Sequence, residues 1–232
     1  MKNARIAGIL YLIVVLSGIF SLAYVPSRLI VWDSAPATVQ NIMDSELLFR
    51  MDIVSGLICH TFFLFLSLVL YQLFKPVDKT MAALMVILVA VSVPISFINS
   101  LNKFNVLSLL SGADYLVSQA EHLQSQVMLS LASFNDGILI AQIFWGLWLF
   151  PFGYLVFKSG FLPKILGVFL IAGCFGYLIN FFGYSLLPGY HESGIPALID
   201  LPSRIGEIGI CLWLLIMGAK HGPKYPDKHG VS

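Results

Sequence analysis

Six stretches of this 232-residue chain are long and apolar enough to cross a bilayer, yet Arg50, Asp52, Asp136, Arg204 and Glu207 stand at their edges or inside them. A charge in hydrocarbon costs about 2.5–3.5 kcal/mol on insertion scales, so each of these residues needs a partner or a polar cavity. They mark where function is to be sought. Only 11% of the residues are charged and 58% are hydrophobic, against roughly 25% charged in soluble domains. The chain is therefore read as an integral membrane protein. A formal charge of +1, with no Lys/Arg cluster, excludes a nucleic-acid footprint.

The fold class expected is an all-α membrane protein, a six-transmembrane-helix bundle with short outer interfacial helices. The predicted spans are Ile6–Val25, Leu47–Phe74, Met81–Leu101, Val127–Phe157, Ile165–Leu187 and Pro202–Ala219. The first is longer than a signal-peptide core and is read as a retained helix. Lys2, Arg5, Lys75, Lys79, Lys158, Lys164, Lys220, Lys224 and Lys228 then share one side. The positive-inside rule makes that side the cytoplasm of a bacterial inner membrane, with both termini cytoplasmic. Pro and Gly in the turns 75–79 and 158–164 predict antiparallel neighbours. On the other side Ser34–Met43 reads as an interfacial helix, and Ser111-Gly112-Ala113-Asp114 matches a capping box ahead of another. The domain division is one transmembrane unit, 1–220, and a disordered cytoplasmic tail, 221–232.

An internal pattern joins the two ends. Arg5-Ile6-Ala7-Gly8-Ile9 opens helix one as Lys164-Ile165-Leu166-Gly167-Val168 opens helix five, and Arg50 with Asp52 opens helix two as Arg204 with Glu207 opens helix six. Such hairpins would form a parallel repeat. On helix three, Ser92, Ser96, Asn99 and Lys103 follow four-three-four spacing and lie on one stripe that should face protein or water, with Pro94 inside it. Tyr177, Asn180 and Tyr184 form a similar stripe on helix five. In the outer half Arg50, Lys103 and Arg204 oppose Asp52, Asp136 and Glu207. Two readings stay open: a salt-bridged network that sets helix register, or a polar pocket in which arginines fork onto a phosphate or carboxylate and Asp136 or Glu207 transfers a proton.

His60 lies two turns below Asp52 and reads either as a packed histidine or as a third catalytic candidate. No HExxH, P-loop, GxSxG or dinucleotide glycine pattern is present, and His191 beside Glu192 is a weak metal pair. No metal or cofactor is called for. Cys59, Cys174 and Cys211 lie in apolar runs as small hydrophobes. Trp145 and Trp148 are expected to pack toward lipid or the interface, with stacking on a hydrophobic ligand as the alternative.

The motifs Ala4-Arg5-Ile6-Ala7-Gly8-Ile9-Leu10-Tyr11-Leu12, Ser45-Glu46-Leu47-Leu48-Phe49-Arg50, Leu110-Ser111-Gly112-Ala113-Asp114-Tyr115-Leu116, the run from Ser159 to Val168, and Gly206-Glu207 followed by Cys211-Leu212-Trp213-Leu214-Leu215 come in one order. Together they resemble the bacterial multi-pass membrane proteins grouped as domain of unknown function 4386. The resemblance implies a compact six-helix domain, draws attention to Glu46, Arg50, Asp114 and Glu207, and supplies no catalytic role. The leading expectation is binding of a membrane lipid or hydrophobic small molecule in an outer-facing pocket of Arg50, Asp52, Asn99, Asp136, Asn180, Arg204 and Glu207. The alternatives are an intramembrane acid/base enzyme acting on a lipid or isoprenoid, a proton-coupled transporter, and a structural partner subunit. Self-association into a homo-oligomer through Gly167, Gly173, Gly176 and Gly183 is left open.

Overall fold

The computed structural model describes residues 2–112 and 120–219, and every regular element in them is helical. Asp114, Lys220, Lys224, Lys228 and the expected tail at 221–232 lie outside the described residues. Helix α1, Lys2–Ile19, passes through a π-helical turn, Phe20–Tyr24, into α2, Val25–Leu29. The helix thus runs past the predicted end at Val25, and the reason is Pro26. A proline in a helix interior lacks its N–H and clashes with the carbonyl four residues back. The π turn just before it, with the Val25 amide bonded to the Phe20 carbonyl, loosens that register.

The predicted short helix at Ser34–Met43 is α3, Ala35–Asp44, with the Ser34 hydroxyl accepting from the Ala37 amide as an N-cap. Thr38 anchors it by bonding both backbone groups of Val31 at 2.9 Å. Then come α4, Glu46–Phe74, and α5, Lys79–Asn99, which starts on an Asp78 cap that accepts from the Thr80 and Met81 amides. After a break at Ser100 the chain continues as α6, Leu101–Leu110. The 40-residue α7, Ala120–Ser159, is followed by α8, Lys164–Leu186, a 3-10 turn at Tyr190–Ser193, α9, Ile195–Ile199, and α10, Leu201–Ile216.

Five segments are long and apolar enough to span: Asn3–Leu29, Glu46–Phe74, Lys79–Leu110, Glu121–Ser159 and Lys164–Leu186. The expected sixth, α10, has 16 residues. At 1.5 Å per residue it is about 24 Å long, short of the roughly 30 Å hydrocarbon core.

The helices pack in chain order as a closed circuit. Helix α1 lies on α4, α4 on α5, α5 and α6 on α7, α7 on α8, α8 on α10, and α10 returns to α1. Gly8 makes the last closure possible, because a Cβ there would stand 2.5 Å from the Leu215 backbone nitrogen. The first and last described residues share one end of the bundle, with Gly218 beside Arg5; the opposite end carries α3.

Two apolar cores divide the interior. The larger, toward the terminal end, includes Tyr11, Phe63, Leu70, Met85, Trp148 and Phe152. The smaller, beneath α3, includes Leu29, Ile42, Phe49, Val106 and Leu131. His60 on α4 and Ser96, Asn99, Ser100 and Lys103 along α5–α6 fall between the two cores, so a polar layer is internal to the bundle. The glycine stripe of α8 is used within the chain: Gly167 faces the Gly153 carbonyl, Gly173 faces Ser203, Gly176 faces the Ile199 carbonyl and Gly183 faces the Tyr190 ring.

Candidate functional site

The predicted stripe of helix three does face the interior: Ser92, Ser96, Asn99 and Lys103 are all buried. The serine hydroxyls return to carbonyls of their own helix, Ser92 to Val89 and Ser96 to Ser92. Asn99 donates from Nδ2 to the Phe134 carbonyl at 2.8 Å, and Gly137 leaves room for its amide. One turn past the break, Lys103 Nζ reaches Asp52 Oδ2 at 2.6 Å, with the two side chains only 3% and 2% exposed. Lys103 also lies 4.1 Å over the Phe134 ring. Asp52 Oδ1 is left without a hydrogen-bond donor. A void of about 10 Å³ touches Lys103, Ser21, Ser96, Ser100 and His60, about the space one water occupies.

Four of its lining residues, Gly18, Leu22, Cys59 and His60, also wall a larger cavity of about 260 Å³. This cavity is the hollow of the helical circuit. Tyr11, Val14 and Val15 come from α1, Phe63 from α4, Trp145 and Trp148 from α7, Tyr177 from α8, and Arg204, Glu207 and Ile208 from α10. The exposed lining residues are Ile19, Leu22, Arg204 and Ile208, so the cavity opens sideways between α1 with its π turn and α10. Its wall is aromatic: His60 stacks on Trp145 at 5.6 Å, Phe63 meets Trp148 edge to face at 4.8 Å, and Trp148 stacks on Phe152. Inside stands one carboxylate, Glu207, which accepts from the Tyr11 and Tyr177 hydroxyls, each at 3.4 Å. His60 donates from Nδ1 to the Gly56 carbonyl, leaving Nε2 free to accept when the ring is neutral.

The residues singled out from sequence fall into separate groups. Glu207, His60 and Arg204 share the central cavity, while Asp52 and Lys103 form the buried pair beside it. Arg50 is exposed and bonds Glu46 at 2.6 Å, in a hollow of about 140 Å³ near the end of α6. Asp136 is exposed in a surface depression with Asn135, Gln142 and Tyr184. Asn180 is buried and donates to Asp200 and to the Pro196 carbonyl while accepting from the Tyr190 hydroxyl.

The three cations and three acids set against each other in the sequence do not form one network. Of those six residues only Lys103 and Asp52 pair with each other. Arg50 takes Glu46, four residues earlier on α4, and Arg204 takes Asp200, four residues earlier at the N-cap of α10. Side chains one turn apart meet with little ordering of the chain, whereas pairing across the circuit would require spanning its hollow. Trp145 and Trp148 are also corrected: they face inward, and Trp148 is 2% exposed. Sequence reading passed over Tyr11 and Asp200 as site residues. The i,i+4 spacing of Glu46 with Arg50 and of Asp200 with Arg204 was the available signal.

Apolar helices of spanning length enclosing a buried ion pair and a carboxylate-bearing cavity define a multi-pass membrane protein. The chain belongs to the family described as "Domain of unknown function (DUF4386)", which matches residues 6–218. An uncharacterized protein of Archaeoglobus fulgidus is similar to it, 34% identical over 90 residues, which is 39% of this chain and 51% of that protein. The chain thus matches about half the length of that relative. No solved structure matches it.

Proposed function

We propose that the protein binds a lipid or small amphiphile in the central cavity, taking it from the side between α1 and α10. In this reading α10 is the sixth crossing and the bundle sits in a cytoplasmic membrane with both termini inside. Asn180 supports the crossing, because it ties α9 and Asp200 to α8 six residues before that helix ends. Helix α10 therefore starts about 9 Å below the end of α8, and 16 residues suffice to reach the far side. The observation that carries the binding function is the hollow itself: about 260 Å³, walled by aromatic rings, holding one carboxylate and open sideways. Whole drug-sized ligands occupy roughly 300–1,000 Å³. The cavity suits a polar head and the first carbons of a chain whose remainder leaves through the mouth into lipid.

Native mass spectrometry of protein purified in mild detergent tests this against the paired variant Val15→Phe, Ile208→Trp, which fills the hollow and its mouth. A discrete molecule is expected on the wild type and absent from a variant of equal thermal stability. The same bulk lipid on both would refute the reading. An acid/base enzyme is the second reading, favoured by Glu207 and His60 lining one cavity. It requires Glu207→Gln to abolish turnover of the retained molecule while leaving binding in place.

A further inference from the structure

Among the described residues Glu207 has no salt-bridge partner. Arg204 is the one arginine or lysine lining the cavity, and its Nη2 is directed to Asp200 Oδ2 at 3.5 Å. Arg204 is thus engaged by Asp200, leaving the Glu207 carboxyl as the acidic group of the cavity without a cation against it. The two phenols reach Glu207 at 3.4 Å, at the long end of hydrogen bonding, and an ionised carboxylate offers about four acceptor sites. Acceptor capacity remains. Around it stand Tyr11, Phe63, Trp145, Trp148 and Tyr177, whose ring faces carry negative electrostatic potential. His60 covers one face of Trp145 and Phe152 one face of Trp148; aromatic rings gathered around an acid still form an environment that attracts a poorly hydrated cation. An anionic head would meet both the carboxylate and those faces unfavourably.

We infer that the amphiphile taken by this cavity carries an ammonium head, which sits between Glu207 and the aromatic wall while its chain leaves between α1 and α10. This rests on the binding function proposed above and adds its chemical class. The ammonium can belong to a single-chain amine or to the zwitterionic headgroup of a lipid.

The test uses the full chain in nanodiscs and four twelve-carbon probes: dodecyltrimethylammonium, dodecylphosphocholine, dodecanol and dodecanoate. Binding is read from tryptophan fluorescence. Dodecyltrimethylammonium is expected to bind about tenfold more tightly than dodecanol, with dodecanoate weakest. Phosphocholine binding as tightly as the simple ammonium assigns the site to lipid headgroups, and weaker binding assigns it to free amines. Glu207→Gln should erase the preference while dodecanol still binds, which shows the cavity intact. Glu207→Asp, which keeps the charge, should retain the preference, and Trp145→Leu, which removes a ring face, should reduce it. The inference is overturned if dodecanol or dodecanoate matches the ammonium, or if Glu207→Gln keeps the preference. If no probe binds, the cavity function falls with it.

Discussion

Removing the Lys103 ammonium by Lys103→Met would leave the Asp52 carboxylate 1% exposed with neither oxygen bonded, because Oδ1 already lacks a donor. Breaking a buried pair from one side costs about 3–5 kcal/mol, most of it the uncompensated charge. Asp52→Leu should cost less, since the orphaned ammonium keeps its contact with the Phe134 ring at 4.1 Å, and such contacts reach about 2 kcal/mol when desolvated. The double variant Asp52→Leu, Lys103→Met removes both charges and fills the site with apolar atoms, so it should lie within about 1 kcal/mol of wild type. The coupling between the sites is then about 3 kcal/mol or more. Equilibrium unfolding of all four proteins in mixed micelles, followed by tryptophan fluorescence, closes the double-mutant cycle. Additivity within about 0.5 kcal/mol would show that the two charges do not depend on each other, and the polar layer would lose its central element.

Two further expectations concern packing. Gly8→Ala places a Cβ against the backbone of Leu214 and Leu215 at 2.5–2.8 Å and should cost about 1–3 kcal/mol; Gly18→Ala, whose Cβ meets Cys59 Sγ at 3.4 Å, should be near neutral, and thermal melting of the two compares them directly. Asn180→Leu deletes the bonds to Tyr190, Pro196 and Asp200. It should destabilise by about 2 kcal/mol or more and speed hydrogen exchange across residues 187–200, while exchange in α5 and α6 stays as in wild type.

Much of the architecture was legible in the chain because hydrocarbon imposes one solution on a long apolar run, an internally bonded helix. The predicted spans agree with α1, α4, α5, α7 and α8 to within a turn at most ends. The largest departures are α1, which passes Val25 through a π turn, and α7, which begins by Ala120. Neither was written in hydropathy: one depends on how a backbone accommodates Pro26, the other on a polar extension that hydropathy does not count. Within the site, the inward stripe of Ser92, Ser96, Asn99 and Lys103 could be read from spacing, and Glu207 and His60, both named from the sequence as candidates, line the cavity. Pairing was not readable. Hydropathy places charges at a common depth but not around the circumference, and Arg50, Asp136 and Arg204 all turned outward or toward a neighbour on their own helix.

The closure of α10 on α1 also determines how the molecule can yield. The π turn after α1 is seated on α4 at Gly56, where a Cβ would stand 3.0 Å from Ser21 Oγ, and α10 is seated on α8 through Gly206 and Gly173. Across the seam between these two hairpins, Gly8 brings the α1 backbone against the α10 backbone at Leu214 and Leu215, at the terminal end. A swing of α10 about that contact would widen the mouth as a lever does. From Leu215 to Arg204 the arm is about 16 Å, so a swing of about 7° parts the far end by about 2 Å. Such a swing would part the far end of the seam, while the core residues nearest the contact, Ala7 on α1 and Leu214 on α10, would move least.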